Sequence, residues 1–269
     1  MNRLTNDTFQ QSREKFVPYI MSSFPDYDSS IDIALSLEKA GADALEWGVP
    51  FSDPLADGPV IQKAGEAARR AGGGLKTAIA GAKEARERGL AIPMVLFTYV
   101  NPVLSLGYEQ VLDRMQDAEM DGILIPDLPH EEAAELRTRC RDRGISLINL
   151  VAPTSKSRMK EIAGLGDGFL YYVTSLGVTG TRENFNKDLE QSIQELKQAS
   201  HVPVLAGFGI SKAEHVQYFQ QIADGVIVGS ALVQFITDRS SALLSDQREQ
   251  ALEEIEDFVR ELTEGGQPV

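Results

Sequence analysis

Ala44-Leu45-Glu46-Trp47-Gly48-Val49-Pro50-Phe51-Ser52-Asp53-Pro54-Leu55-Ala56-Asp57-Gly58-Pro59 begins as a strand and turns into a stiff loop. Residues 44–49 are apolar except for Glu46. Pro50, Pro54 and Pro59 then fix φ at three points and break regular structure. Alternate side chains of a strand share a face. Leu45, Trp47 and Val49 therefore fall on one side, and Ala44, Glu46 and Gly48 on the other. The second set is small apart from one carboxylate. A buried carboxylate is costly unless it is paired or neutralised, so Glu46 stands there with a partner or for chemistry. Asp53 and Asp57 follow in the proline-braced loop, either as acids of a site or as makers of turn and cap hydrogen bonds.

On either side of this stretch, strand and helix patterns alternate. Strands are expected at 16–22, 44–49, 93–99, 122–127, 146–152, 168–174, 202–207 and 225–228. Apolar residues at helical spacing follow each of them, as with Ile33, Leu37 and Ala40 before Gly41. Ser211 and Glu214 have the spacing of a capping box. Eight such units in 269 residues point to one (β/α)8 barrel domain covering 1–269, a fold that typically takes about 250 residues. An open doubly wound sheet is the alternative, weakened because no Gly-x-Gly-x-x-Gly opens a helix after the first strand.

Composition narrows the function classes. The formal charge is −14, and no Lys/Arg-rich block stands out beyond short helical runs such as 137–143. Nucleic acid is not an expected partner. No apolar run approaches the roughly 20 residues of a membrane span, and no basic segment leads into an apolar one at the N-terminus, so a cytoplasmic setting is expected. Cys140 is the single cysteine and sits at helical spacing from Ala133 and Leu136, as a packing residue.

Barrel active sites lie at the C-terminal ends of the strands. This chain places Tyr19, Glu46, Asp57, Tyr99, Asn101, Asp127, Tyr171, Thr174, Gly209, Gly229 and Ser230 there. The set is rich in acids and tyrosines, with no histidine and no lysine inside an expected strand. A Schiff-base aldolase needs such a lysine, and a metal-dependent one needs clustered ligands. His130, His201 and His215 share no ligand spacing and read as surface residues. No metal and no cofactor are expected. Glycine-rich turns at 177–180, 207–209 and 229–230 converge if the barrel closes, and loops after strands 7 and 8 form the recurrent phosphate cradle of this fold. The residues thus describe a cofactor-free barrel for a phosphate ester, with candidate acid/base carboxylates and tyrosines against an apolar substrate. The polar segment 175–187 is too long for an ordinary connection and is expected to act as a lid.

The run from Glu46 to Pro59 closely resembles the signature of the tryptophan synthase alpha subunit family. Pro126-Asp127-Leu128-Pro129, Val151-Ala152-Pro153-Thr154, Gly177-Val178-Thr179-Gly180 and Gly207-Phe208-Gly209-Ile210 look like its later landmarks, in order. The resemblance implies a (β/α)8 lyase that cleaves indole-3-glycerol phosphate. It implies Glu46 as the catalytic acid/base and Asp57 as the group that stabilises the indole N–H. It further implies Tyr19, Tyr99, Asp127, Tyr171 and Thr179 near the substrate, and Gly180, Gly209, Gly229 and Ser230 around the phosphate. A pyridoxal-phosphate beta subunit, in an α2β2 heterotetramer, is the implied partner. A stand-alone lyase and a non-catalytic barrel that only activates a partner are the alternatives. The chain departs from the family at Trp47, often Leu or Ile, expected here to face the helices. It also departs at Met21-Ser22-Ser23-Phe24-Pro25, often Thr-x-Gly-Asp-Pro, and at Ser175, often arginine.

Overall fold

A computed structural model describes residues 2–12, 14–152, 158–174 and 182–265. The strands are β1 (Lys15–Met21), β2 (Leu45–Gly48), β3 (Met94–Phe97), β4 (Gly122–Leu124), β5 (Ser146–Val151), β6 (Leu170–Val173), β7 (Val204–Gly207) and β8 (Gly225–Val228). They pair in parallel in sequence order, and β8 returns to β1 through Phe16 against Val226 to close the barrel. The helices are α1 (Asp7–Gln11), α2 (Tyr27–Lys39), α3 (Pro59–Arg70), α4 (Leu75–Glu87), α5 (Val100–Leu106), α6 (Tyr108–Asp117) and α7 (Ala134–Asp142). They continue with α8 (Met159–Gly164), α9 (Arg182–Ala199), α10 (Ala213–Ile222), α11 (Ser230–Asp238), α12 (Ser240–Leu243) and α13 (Arg248–Glu264). Among the described residues, no helix is long and apolar enough to cross a membrane.

The expected strands are all present, with ends shifted by a few residues. Three local expectations are corrected. Pro59 does not exclude regular structure: it is the first residue of α3, where a missing N–H costs nothing. Ser211 does not cap α10, which starts at Ala213 after Lys212 with no side-chain cap, one residue too late for the Ser-x-x-Glu box. Lys15 belongs to a strand, because the chain turns at Glu14 (φ 57°) and β1 begins one residue earlier than the apolar run. Its ammonium donates to the Ser12 carbonyl and lies over Phe9, at the end of β1 away from the strand C-termini.

Strand parity holds at β2. Glu46 pairs in register with Tyr19 and Val95 and turns inward, while Trp47 turns outward. The Trp47 indole N–H donates to the Ala78 carbonyl of α4 at 2.8 Å, and the ring packs where Gly81 carries no side chain. The helix-facing role expected for Trp47 is the one observed.

A device that patterning did not reveal ties the strand N-termini together. An aspartate precedes each even-numbered strand: Asp43, Asp121, Asp167 and Asp224. Asp43 accepts the Phe16 N–H of β1 at 2.8 Å, Asp121 the Met94 N–H of β3 at 2.9 Å, and Asp224 the Val204 N–H of β7 at 2.9 Å. Asp167 accepts instead from the Ser146 hydroxyl of β5 at 2.9 Å. Each carboxylate thus joins two adjacent strands and satisfies a donor at a strand start. Asp121 also pairs with Arg86 at 2.9 Å, both side chains being buried. Asp43→Ala is expected to destabilise the fold by about 1–3 kcal/mol. Asp121→Ala should cost about 3–5 kcal/mol, since it leaves a buried guanidinium unpaired. Urea unfolding at pH 7 measures both, and unchanged midpoints would show that the clamps add no stability.

Candidate active site

A cavity of about 240 Å³ opens at the C-terminal ends of the strands. Tyr19, Glu46, Phe97, Tyr171 and Ile227 reach it from β1, β2, β3, β6 and β8. Asp57 and Gly58 come from the loop after β2, and Ile61 from the first turn of α3. Residues 208–211 follow β7, and 229–231 open α11.

Glu46 is the least solvated acid of the site, 1% exposed. Its Oε1 has no hydrogen-bond partner among the described residues. Burial alone pushes its carboxyl up to about 8, so the group is a neutral acid at pH 7. Of the choice left open by the sequence, a partner or chemistry, no partner stands among the described residues. Asp57 is held differently. Its N–H donates to Pro54 O at 3.1 Å, and Gln62 Nε2 donates to its carbonyl at 2.8 Å. Burial raises its carboxyl to about 6, offset in part by a hydrogen bond from Tyr99. Below pH 8 and above pH 6, one cavity therefore holds a protonated glutamic acid and an ionised aspartate.

Two phenols flank the acids. Tyr19 and Tyr171 are buried, and burial followed by the nearby carboxylates keeps both neutral, well above the usual phenol range. Each lies across a glycine of the next strand. A Cβ built on Gly48 would stand 2.2 Å from the Tyr19 hydroxyl, and one on Gly207 2.4 Å from that of Tyr171. Those strand positions must be glycine for the phenols to lie flat against the wall. Tyr19 meets Phe97 edge-on at 5.4 Å, and Tyr171 meets Phe208 edge-on at 5.7 Å. The result is an aromatic slot beside the carboxylates.

Several residues expected at the substrate stand elsewhere. Tyr99 does not line the cavity: β3 ends at Phe97, so strand parity stops there, and Tyr99 becomes the residue before α5. Its hydroxyl accepts from Ala56 N at 3.1 Å and bonds Asp57, while its ring stacks on Phe51 at 5.3 Å. Asp127 lies beyond the end of β4, and its Oδ1 accepts the Val100 N–H at 2.9 Å, tying the β4 loop to α5. Asn101 is exposed on α5. Thr179 and Gly180 lie outside the described residues, as does the first half of the expected lid; Arg182 already opens α9. Gly209, Gly229 and Ser230 line the cavity as expected. Sequence reasoning passed over Phe97, Ile61, Ile227, Phe208 and Ser211. Phe97 and Ile227 stand on expected strands and were within reach, Ile61 sits in the first turn of α3, and Phe208 and Ser211 depend on the loop after β7. Asp53 is exposed, and Cys140 is buried in α7 with its thiol pushed up to about 12. Of the histidines, His201 is exposed, whereas the His130 side chain is only 10% exposed, in the loop before α7.

A closed parallel barrel whose mouth joins a neutral carboxylic acid, an ionisable aspartate and a glycine-lined helix start defines an acid–base enzyme of the (β/α)8 class. Within that class the chain belongs to the tryptophan synthase alpha chain family, whose model matches residues 5–266. It is 45% identical over 263 residues to the tryptophan synthase alpha chain of Shouchella clausii, covering 97% of each chain. It is 49% identical over 248 residues to that of Geobacillus kaustophilus, covering 92% of each. Among solved structures, tryptophan synthase subunit alpha of Legionella pneumophila is 31% identical, with a TM-score of 0.85 over 98% of each chain. A chain of the tryptophan synthase complex of Pyrococcus furiosus is 34% identical, with a TM-score of 0.81 over 93% of this chain and 98% of that one.

The buried acid has a cost that can be measured. Its folded pKa, about 8, lies above its unfolded value, 4.5. The folded state therefore keeps the proton that the unfolded state releases, and stability falls as pH rises between those values. Glu46→Gln removes the ionisation. The variant is expected to match the parent near pH 4.5 and to gain on it by about 1.4 kcal/mol per pH unit, roughly 5 kcal/mol by pH 8. Paired urea titrations at pH 5 and pH 8.5 would show the widening gap; a constant difference would mean that Glu46 ionises freely in the folded state.

Proposed function

We propose that this chain is the lyase subunit that cleaves indole-3-glycerol phosphate to indole and glyceraldehyde 3-phosphate, as one barrel domain. The observation that carries the reading is the neutral, unpartnered Glu46 carboxyl in the cavity that Asp57 also faces. A retro-aldol cleavage here needs an electron sink, and the indole ring becomes one once C3 is protonated. Glu46 gives its proton to C3, forming an indoleninium. Asp57, ionised, accepts a hydrogen bond from the ring N–H and favours the positive charge there. The Glu46 carboxylate, now ionised, takes the proton of the side-chain hydroxyl on the carbon attached to C3. The C–C bond breaks, its electrons restore the aromatic ring, and the hydroxyl carbon leaves as an aldehyde. Indole keeps the proton at C3 and Glu46 regains its own, so no lysine and no metal enter the step. Tyr19, Phe97, Tyr171 and Phe208 supply an aromatic slot that fits the indole ring. The α11 start at Gly229-Ser230 supplies amide donors for the phosphate.

The beta subunit is the proposed partner, in an α2β2 assembly and a cytoplasmic setting. Leu55, 82% exposed at the tip of the proline-braced loop, supports it, because a large apolar side chain so placed gains by being covered. Intact Glu46 and Asp57 speak against a barrel that only activates its partner.

Activity should rise as Asp57 ionises and fall as Glu46 does. A bell-shaped kcat/KM profile with limbs near 6 and 8 is expected. Glu46→Gln should lower kcat by at least about a hundredfold with unchanged circular dichroism. Near-normal turnover in that variant would end the assignment. Asp57→Asn should remove the acid limb of the profile, and a retained limb would place that titration on another group.

A further inference from the structure

We propose that Thr174 is a positioning residue for the phosphate group: its hydroxyl holds the peptide after Phe208 so that the Gly209 N–H faces the helix start after β8. The inference deepens the phosphate-ester reading of the cavity and rests on it.

Thr174 follows β6 and is buried. Its N–H donates to the Gly207 carbonyl at 2.8 Å. Its Oγ1 also reaches the Gly207 carbonyl, at 2.8 Å, and the Phe208 carbonyl. One hydroxyl proton is thus shared by two successive carbonyls. In a trans peptide the C=O of one residue and the N–H of the next point in opposite directions. Carbonyls of Gly207 and Phe208 drawn toward β6 therefore turn the N–H groups of Phe208 and Gly209 the other way. Strand β7 lies between β6 and β8, so the Phe208 N–H turns to Ile227 at the end of the strand ladder and the Gly209 N–H, one residue further, toward Gly229 and Ser230.

Backbone dihedrals agree. Phe208 and Gly209 are both left-handed, with φ of 74° and 79°. That is uncommon for a residue other than glycine and needs something to hold it. Among the described residues, the Gly209 N–H donates to no acceptor, while Ser211 N is directed at His215 Nδ1 at 3.4 Å. Gly209 and the α11 start border the same cavity. Thr174 itself does not line it, so it acts through the loop and touches no substrate.

The test removes the hydroxyl and keeps the shape. Thr174→Val should weaken binding of glycerol 3-phosphate, measured by calorimetry, about tenfold, the worth of one well-made hydrogen bond. Indole, which lacks phosphate, should bind as before. KM for indole-3-glycerol phosphate should rise by a similar factor, with kcat within about twofold and both pH limbs unmoved. Thr174→Ser keeps the donor and should restore phosphate affinity. Unchanged affinity for glycerol 3-phosphate in Thr174→Val overturns the proposal. So does a proportional loss of indole binding, which would mark Thr174 as a packing residue only. Should the valine variant fail to fold, Thr174→Ala takes its place, with the same outcomes deciding. The calorimetric arm is independent of turnover: a parent protein that binds glycerol 3-phosphate without cleaving the full substrate would refute the lyase reading and leave Thr174 testable.

Discussion

Keeping one carboxyl dry is the constraint on which the mouth of this barrel depends. Glu46 is buried and, among the described residues, makes no compensating hydrogen bond through Oε1. Ionising it there would need several pH units beyond its ordinary range, so it stays an acid. Its surroundings follow from that need. Tyr19 and Tyr171 are phenols that remain neutral, and they add polarity without charge. Phe97, Ile61 and Ile227 keep the floor apolar. Gly48 and Gly207 leave room for the phenols to lie against the wall. One residue along β2, Trp47 anchors the strand to α4 from the other side. The acid is thus fixed in place by groups that offer its charge nothing.

The same chemical group is used in the opposite sense at the other end of the strands. Asp43, Asp121 and Asp224 each accept a backbone N–H of the neighbouring strand, and Arg86 further compensates Asp121. A carboxylate so satisfied stabilises the fold. Acids at the mouth are left less satisfied, and this difference separates the two ends of the barrel axis. Asp57 stands between the two cases. Tyr99, seated behind it, satisfies one lone pair and returns part of what burial removes. Tyr99 and Asp127 thus serve the site from outside it: one orients Asp57, the other ties the loop after β4 to the start of α5.

The sequence by itself determined the eight alternating units, the inward side of β2 and the outward side of Trp47. Periodicity of apolar residues is a local property, and strand parity follows from it directly. It also singled out Glu46 as a candidate, because an acid inside an apolar strand is conspicuous without a structure. What only the tertiary structure decided was where each strand stops and what stands across the cavity. The place at the strand end expected for Tyr99 failed because β3 ends two residues earlier, and nothing local marks that end. The clamps of Asp43, Asp121 and Asp224 join residues 20 to 27 positions apart, a distance no motif window spans. The unpaired state of Glu46, the phenols laid over Gly48 and Gly207, and the Thr174 hydroxyl behind the β7 loop are likewise contacts between strands. They exist only once eight strands have closed into a barrel, and closure is a property of the whole chain.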